Sequence, residues 1–211
     1  MASLAPVQYC CDMLALGWIL ALLGCRGGGD DTGSALFPLD QTGPWEIGSW
    51  DTTLDTSSDT EVPVQVWYPV PGPTDDPFVY YWEPMPTIAW DAPVGACEEP
   101  RPVVVFSHGS GGVRWQSVFL TERIASHGYV VVAPDHVQNT FFDMTGSGAE
   151  IALRRPQDVS DTFDWLVEQS ATSDSRLSGC VDPDAGYALV GHSFGGYTAL
   201  ATAGATLDVA G

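Results

Sequence analysis

The chain has 211 residues, 45% of them apolar and 11% aromatic, a composition typical of a folded domain rather than of a disordered chain. It carries 27 acidic residues against seven basic ones, all arginine, and the formal charge of −20 argues against nucleic acid as a partner, because phosphates would be repelled. The length suffices for one domain with its own core.

The first 25 residues have the pattern of a signal peptide with a lipobox-like end. The apolar run from Met13 to Gly24 is uncharged and too short to cross a bilayer core of about 30 Å as a helix. It leads directly into Cys25, as in the lipidation site of bacterial lipoproteins. We expect a bacterial cell-envelope protein, lipid-anchored to the membrane through Cys25 or secreted. A plain secretory signal and a buried apolar segment are the alternatives.

Residues 26–60 are rich in Gly, Asp, Thr and Ser and predict a flexible tether with an irregular passage into the domain, which would span residues 61–211. Residues 61–70 alternate and predict a strand, whereas the many prolines of residues 71–100 predict a loop-rich insertion with room for an edge strand. The spacing of acidic, Cys and His residues fits neither an EF-hand nor a zinc site, so we expect no metal and no organic cofactor.

Cysteines 97 and 180 would remain in an oxidising compartment after processing at Cys25. They could form a disulfide, or they could be two small unpaired buried residues. The sequence leaves both possibilities open.

Strand and helix patterns alternate from residue 101 onward. Short apolar runs predict strands over residues 101–109, 129–136 and 187–193, and helical spacing predicts helices over 115–128, 154–170 and from 194 onward. This order predicts an α/β fold with a mostly parallel sheet and helices on both faces.

The third of these strands ends in Gly191-His192-Ser193-Phe194-Gly195, the G-x-S-x-G pattern of a nucleophile elbow. The glycines would permit a sharp strand-to-helix turn that exposes the serine hydroxyl. The backbone N–H of Phe194 would then face a developing oxyanion. The alternative is a tight turn without chemistry. His192 is interpreted as a packing or hydrogen-bonding residue.

A second glycine-rich segment, Phe106-Ser-His-Gly-Ser-Gly-Gly112, follows the first apolar strand. In a hydrolase with such an elbow, this loop supplies the other oxyanion donor. We expect that donor to be the backbone N–H of Ser110, with Gly109 as a loop glycine and His108 holding the loop. A phosphate-binding loop fits poorly, because the chain has no lysine.

The segments PVVVFSHGSGG, IASHGYVVVAPDH, RRPQDVSDTFDWL and GHSFGGYTALATAGA occur in the order found in bacterial proteins predicted to be dienelactone hydrolases, relatives of platelet-activating-factor acetylhydrolase. The chain resembles this family over residues 60–211. The resemblance implies an α/β-hydrolase fold and a serine carboxylic-ester hydrolase, with Ser193 as nucleophile. Dienelactone hydrolases proper use cysteine, so their substrate is not implied.

The triad acid and histidine are not evident. In this fold they follow the nucleophile, but only Asp208 is acidic after Ser193 and no histidine follows it. Asp208 precedes the strand that would carry the acid. His136, at the carboxyl end of a predicted strand, is a candidate for the pocket wall. We therefore expect a truncated, inactive part of an esterase for small or medium acyl esters, with the C-terminal strands and helices missing. A non-catalytic envelope lipoprotein that uses the scaffold for binding is the alternative. The sequence does not distinguish peptidase or acyltransferase activity from esterase activity.

Overall fold

The computed structural model of the chain describes residues 41–58, 60–70, 77–80, 83–90, 97 and 99–205. The predicted signal peptide, Cys25 and Asp208 lie outside these residues. Lipid anchoring therefore stays a prediction, to be tested by palmitate labelling of wild type and a Cys25→Ala variant.

Seven strands and three helices make up the described part of the chain. The strands are β1 (Glu46–Asp55), β2 (Glu61–Val70), β3 (Pro77–Tyr80), β4 (Glu83–Trp90), β5 (Val103–Ser107), β6 (Val130–Pro134) and β7 (Tyr187–Gly191). The helices are α1 (Val118–Ser126), α2 (Gly148–Ala171) and α3 (Phe194–Thr202).

The strands form one sheet in the order β3-β4-β1-β2-β6-β5-β7. The three strands that carry the predicted site, β6, β5 and β7, pair in parallel as expected. Pairs β1–β2, β2–β6 and β3–β4 are antiparallel, so the described sheet is mixed rather than mostly parallel. Parallel neighbours end at the same edge of a sheet, which brings the residues following β5, β6 and β7 together.

Helices cover both faces of the sheet. In β5, Val103 and Val105 belong to a core cluster shared with α2 and α3, whereas Val104 and Phe106 belong to a second cluster with α1. Successive strand residues point to opposite faces, so this division shows α1 on one face and α2 and α3 on the other. Every residue of β5 and β6 is buried, which explains their uninterrupted apolar sequence.

The prediction of an irregular tether up to residue 60 is wrong for β1, which pairs with β2 along its whole length. Polar residues hide the strand pattern because some of them are buried with partners. Ser49 is fully buried, donates to the carbonyl of Val66 at 3.0 Å and accepts from Gln65 at 2.7 Å. Pairing with β2 makes this segment a strand, although its local composition indicates a loop.

Helix α2 begins six residues before the predicted start. Ser147 caps it by accepting from the N–H of Glu150 at 3.3 Å, and its hydroxyl donates to the Glu150 carboxylate at 2.7 Å. Ser-x-x-Glu is the sequence signature of a capping box, so the sequence itself indicates that the helix begins here. Pro156 lies inside α2 rather than near its beginning.

Cys97 and Cys180 form a disulfide, with their Cα atoms 5.2 Å apart and 83 positions apart in sequence. This resolves the two possibilities that the sequence left open. The bond ties the segment before β5 to the segment before β7, and Arg101 also donates its backbone N–H to the carbonyl of Cys180 at 2.8 Å. None of the helices in the described ranges is long and apolar enough to traverse a lipid bilayer.

Candidate active site

Ser193 stands at the sharp turn between β7 and α3. The strand ends at Gly191 and the helix begins at Phe194, so only two residues reverse the chain. Ser193 has φ 53° and ψ −112°, a conformation that residues with side chains rarely adopt. The residue is exposed, and its side chain makes no capping hydrogen bond. The turn therefore presents a free hydroxyl at the N-terminus of a helix.

The two elbow glycines are required by close backbone approach. A Cβ on Gly191 would collide with the carbonyl group of Gly195 across the turn. A Cβ on Gly195 would collide with the carbonyl oxygen of Ser107 at the end of β5. The elbow thus packs directly against the strand that carries the glycine-rich loop.

The loop of residues 108–112 lies beside Ser193. A Cβ built on Gly109 would lie 3.4 Å from the Cβ of Ser193. Among the residues that the structure describes, none accepts a hydrogen bond from the backbone N–H of Ser110 or of Phe194. The structure therefore brings the two segments together and leaves both expected oxyanion donors uncommitted.

Gln116, which the sequence analysis did not single out, connects the loop to the elbow. Its side-chain oxygen accepts from the N–H of Gly109 at 2.8 Å, and its amide nitrogen donates to Nδ1 of His192 at 3.0 Å. His192 is therefore a hydrogen-bonding residue, as expected. No local pattern could indicate this contact, because its partners are 76 positions apart.

His108 is fully buried and holds the loop by both ring nitrogens, as expected. Nδ1 donates to the carbonyl of Gly109 at 2.7 Å, and Nε2 accepts from the backbone N–H of His136 at 3.0 Å. Burial and, secondly, the charge of Arg155 lower the pKa of His108 to about 3. The ring is therefore neutral at neutral pH and has no nitrogen free to act as a base.

His136 lies beneath the site, so its expected place on a pocket wall is wrong. The residue is fully buried and forms a chain in which Ser107 Oγ donates to Nε2 at 2.8 Å and Nδ1 donates to the Asp158 carboxyl at 2.8 Å. This arrangement has the connectivity of a catalytic triad. However, Ser107 is also fully buried and Asp158 is 2% exposed, so no substrate can reach the serine.

Burial favours the uncharged forms of this chain of residues. It lowers the pKa of His136 well below 6.5 and raises the pKa of Asp158 to about 7. The nearby cations Arg154 and Arg155 oppose the shift at Asp158 and add to the shift at His136. Ser107, His136 and Asp158 thus form a hydrogen-bonded polar network inside the fold.

Among the described residues, no hydrogen bond joins Ser193 to a histidine. Apart from the two buried histidines and His192, the remaining one, His127, bonds the carbonyl oxygen of Gln41 at 3.0 Å. Within the same ranges, no group of three Cys, His, Asp or Glu side chains is arranged to hold a metal ion.

Comparisons with known proteins place these features in context. Residues 92–210 match the family model described as Chlorophyllase. Platelet-activating factor acetylhydrolase from Cavia porcellus is 25% identical over 149 residues. A solved structure of a ferulic acid esterase from Streptomyces cinnamoneus superposes with a TM-score of 0.53 at 22% identity, covering 76% of this chain. The likeness shows the α/β-hydrolase fold and confirms that fold class.

The chain is shorter than both of these proteins. It covers 34% of the length of the acetylhydrolase and 55% of the esterase chain. Residues 92–210, which the family model matches, include the elbow and the glycine-rich loop.

Proposed function

The chain belongs to the Chlorophyllase family, and on this premise we propose that it is the nucleophile-bearing part of a serine carboxylic-ester hydrolase. The observation that carries the proposal is the exposed Ser193 at a positive φ beside two uncommitted backbone N–H groups. The names of the similar acetylhydrolase and esterase support ester hydrolysis as the class of reaction.

The proposed reaction passes through an acyl-enzyme. Ser193 Oγ attacks the ester carbonyl carbon while a base removes its proton, and the N–H groups of Phe194 and Ser110 stabilise the oxyanion. The C–O bond to the alcohol then breaks, and the alcohol leaves with the proton. Water attacks the acyl-enzyme in the same way, releasing the carboxylic acid and restoring the serine.

The base and its orienting acid are expected to follow the described residues in sequence. This is their order in the α/β-hydrolase fold, where Ser is followed by Asp or Glu and then by His. The chain of 211 residues by itself should then be nearly inactive. Backbone donors without a base leave a residual rate enhancement of only about 10³–10⁴ over water in serine hydrolases.

Labelling with a fluorophosphonate, which reacts with activated serines, tests this proposal. We expect the product of the complete reading frame to be labelled at Ser193, and a Ser193→Ala variant to lose the label. The 211-residue form should react at least a hundredfold more slowly. Mass spectrometry of the labelled peptide identifies the serine; a label on any other serine, or none on the complete product, would overturn the proposal.

The substrate is proposed to be a small or medium acyl ester with an apolar group. Phe141, Phe142 and Met144 are 73%, 66% and 55% exposed and follow β6 on a loop that is bonded to the glycine-rich loop. The N–H of Phe141 donates to the carbonyl of Gly112 at 3.0 Å, and Met144 Sδ lies 3.5 Å from where a Cβ on Gly111 would be. This apolar surface beside Ser110 can cover an acyl or alcohol chain.

Activity on p-nitrophenyl esters of increasing acyl length checks this assignment. For the complete product, kcat/KM should rise from the acetate to the hexanoate, because each buried CH₂ contributes about 0.8 kcal/mol. Phe142→Ser should flatten this rise. Phe119→Ser, which alters an equally exposed phenylalanine on α1, should not. An unchanged profile in Phe142→Ser would show that the loop does not contact the substrate.

A non-catalytic binding protein is the second candidate, favoured because no histidine among the described residues bonds Ser193 and two of them, His108 and His136, are fully buried. It predicts that the complete product is folded but neither reacts with the fluorophosphonate nor hydrolyses esters. The labelling experiment therefore separates the two candidates.

A further inference from the structure

We infer that Arg155 is a positioning residue that holds both donors of the oxyanion hole, an inference that rests on the proposed esterase function. Arg155 does not touch the reacting atoms. It acts through three separate contacts, each of which leads to one of the two segments that meet at Ser193.

The first contact fixes the start of the glycine-rich loop. Arg155 lies on α2 and is fully buried, and its Nη2 donates to the backbone carbonyl of His108. The same carbonyl would lie 3.0 Å from a Cβ on Gly195, so it faces the first turn of α3. The guanidinium therefore anchors the loop at the point where it passes the elbow.

The second contact reaches Ser110 through Asn139. Arg155 Nη1 donates to the side-chain oxygen of Asn139 at 3.0 Å, and the Asn139 amide nitrogen donates to Ser110 Oγ at 3.1 Å. The backbone carbonyl of Asn139 also accepts from the N–H of Gly111 at 3.2 Å. These bonds hold the Ser110 side chain and the peptide group that follows it, and they leave the Ser110 N–H free.

The third contact reaches the other donor. The guanidinium carbon lies 4.7 Å from the centre of the Phe194 ring, a cation–π distance. Phe194 is the residue whose backbone N–H forms the second half of the expected oxyanion hole. One side chain thus contacts Phe194 directly and Ser110 through Asn139, although the two donors are far apart in sequence.

Stability alone does not account for an arginine at this place. Burial lowers the pKa of Arg155 to about 9, which reflects the cost of keeping a guanidinium away from water, and Asp158 offsets this only in part. Within the described residues, Arg155 Nε has no hydrogen-bond partner. Apolar residues of similar volume often replace buried charges with no loss of stability. The forked geometry of the guanidinium is what an apolar residue, or a lysine, cannot supply.

Arg155→Lys in the complete reading-frame product tests the inference, because lysine keeps the charge and loses the fork. Removing one oxyanion donor reduces kcat by about 10²–10³ in a serine protease, so misplacing both should lower kcat at least tenfold. KM should change less than twofold. The inhibition constant of an aryl trifluoromethyl ketone, which forms an oxyanion on the serine, should rise by the same factor as kcat/KM falls.

Arg154→Lys is the matched control, since it alters the preceding arginine, whose bonds go to Val137 and Gln138. It should keep kcat and the inhibition constant within twofold of wild type. If Arg155→Lys is misfolded by circular dichroism, Asn139→Ala provides the second test with the same readouts. It removes the Arg155–Asn139 and Asn139–Ser110 hydrogen bonds and the contact of Asn139 with Met144, and it leaves the contacts of Arg155 with His108 and Phe194 in place. Wild-type kcat and ketone inhibition in a folded Arg155→Lys or in Asn139→Ala would overturn the inference. A wild-type product that fails to hydrolyse esters would instead contradict the proposed function.

Discussion

At the scale of the residue, Gly191 and Gly195 allow the turn at Ser193 to close and to pack against β5. Gly191 and Gly195 could be assigned from five letters of sequence, because the turn leaves no space for a side chain at either position. Residues that act through distant contacts could not be assigned. Gln116 and Asn139 are ordinary polar residues in sequence, and only the fold brings them to the glycine-rich loop.

Replacing Gly195 by alanine should destabilise the fold and displace the nucleophile. The new Cβ would meet the carbonyl oxygen of Ser107, so α3 must shift away from β5, at a cost of about 1–3 kcal/mol. Fluorophosphonate labelling of the complete product should fall with it. Gly148→Ala is the control, because a Cβ there meets nothing within 4 Å and should be neutral or stabilise by up to about 1 kcal/mol. Equal denaturation midpoints for the two variants would contradict this account.

At the scale of the element, sequence periodicity identified the buried strands and the helices. It missed β1, which is formed by pairing with β2, and the start of α2, which is set by the cap at Ser147. β5, β6 and β7 are continuous apolar runs and were predicted within a few residues. β1 was missed because Ser49 and Gln65 satisfy each other inside the sheet. Similarly, His136 follows a predicted strand but lies under the site, because its ring is hydrogen-bonded to the buried Asp158 of α2.

The buried histidine at the end of β5 gives the fold a pH dependence. The pKa of His108 is about 3 in the folded protein and 6.5 in the unfolded chain. As the pH falls below 6.5, His108 is therefore protonated in the unfolded chain but not in the folded protein. Its contribution to stability is complete above pH 6.5 and is lost towards pH 3. The advantage in unfolding free energy of wild type over His108→Gln should therefore shrink by about 1.4 kcal/mol per pH unit between pH 6 and 4. Urea titrations of both proteins at several pH values measure it; a constant difference would contradict the burial argument.

At the scale of the whole molecule, the α/β-hydrolase fold was predictable from the order of motifs, and the disulfide was not. Two cysteines allow a bond but do not require one, even in a chain that is expected to be exported, because the pairing depends on where residues 97 and 180 meet in space. Likewise, the order of strands in the sheet follows from long-range pairing. The sequence predicted a mostly parallel sheet. This holds for the neighbours of β5, whereas β1–β2, β2–β6 and β3–β4 pair antiparallel.

The bond between Cys97 and Cys180 closes a covalent ring of chain with a particular membership. β5, the glycine-rich loop, α1, β6 and α2 with Arg155 all lie within the ring, whereas β7 and Ser193 lie just outside it. β7 and Ser193 can therefore separate from β5 by local unfolding beyond residue 180 without breaking the disulfide. The glycine-rich loop and Arg155 would remain linked within the ring. To re-form this side of the sheet, β7 then has to pair again with β5, which lies inside the covalent ring.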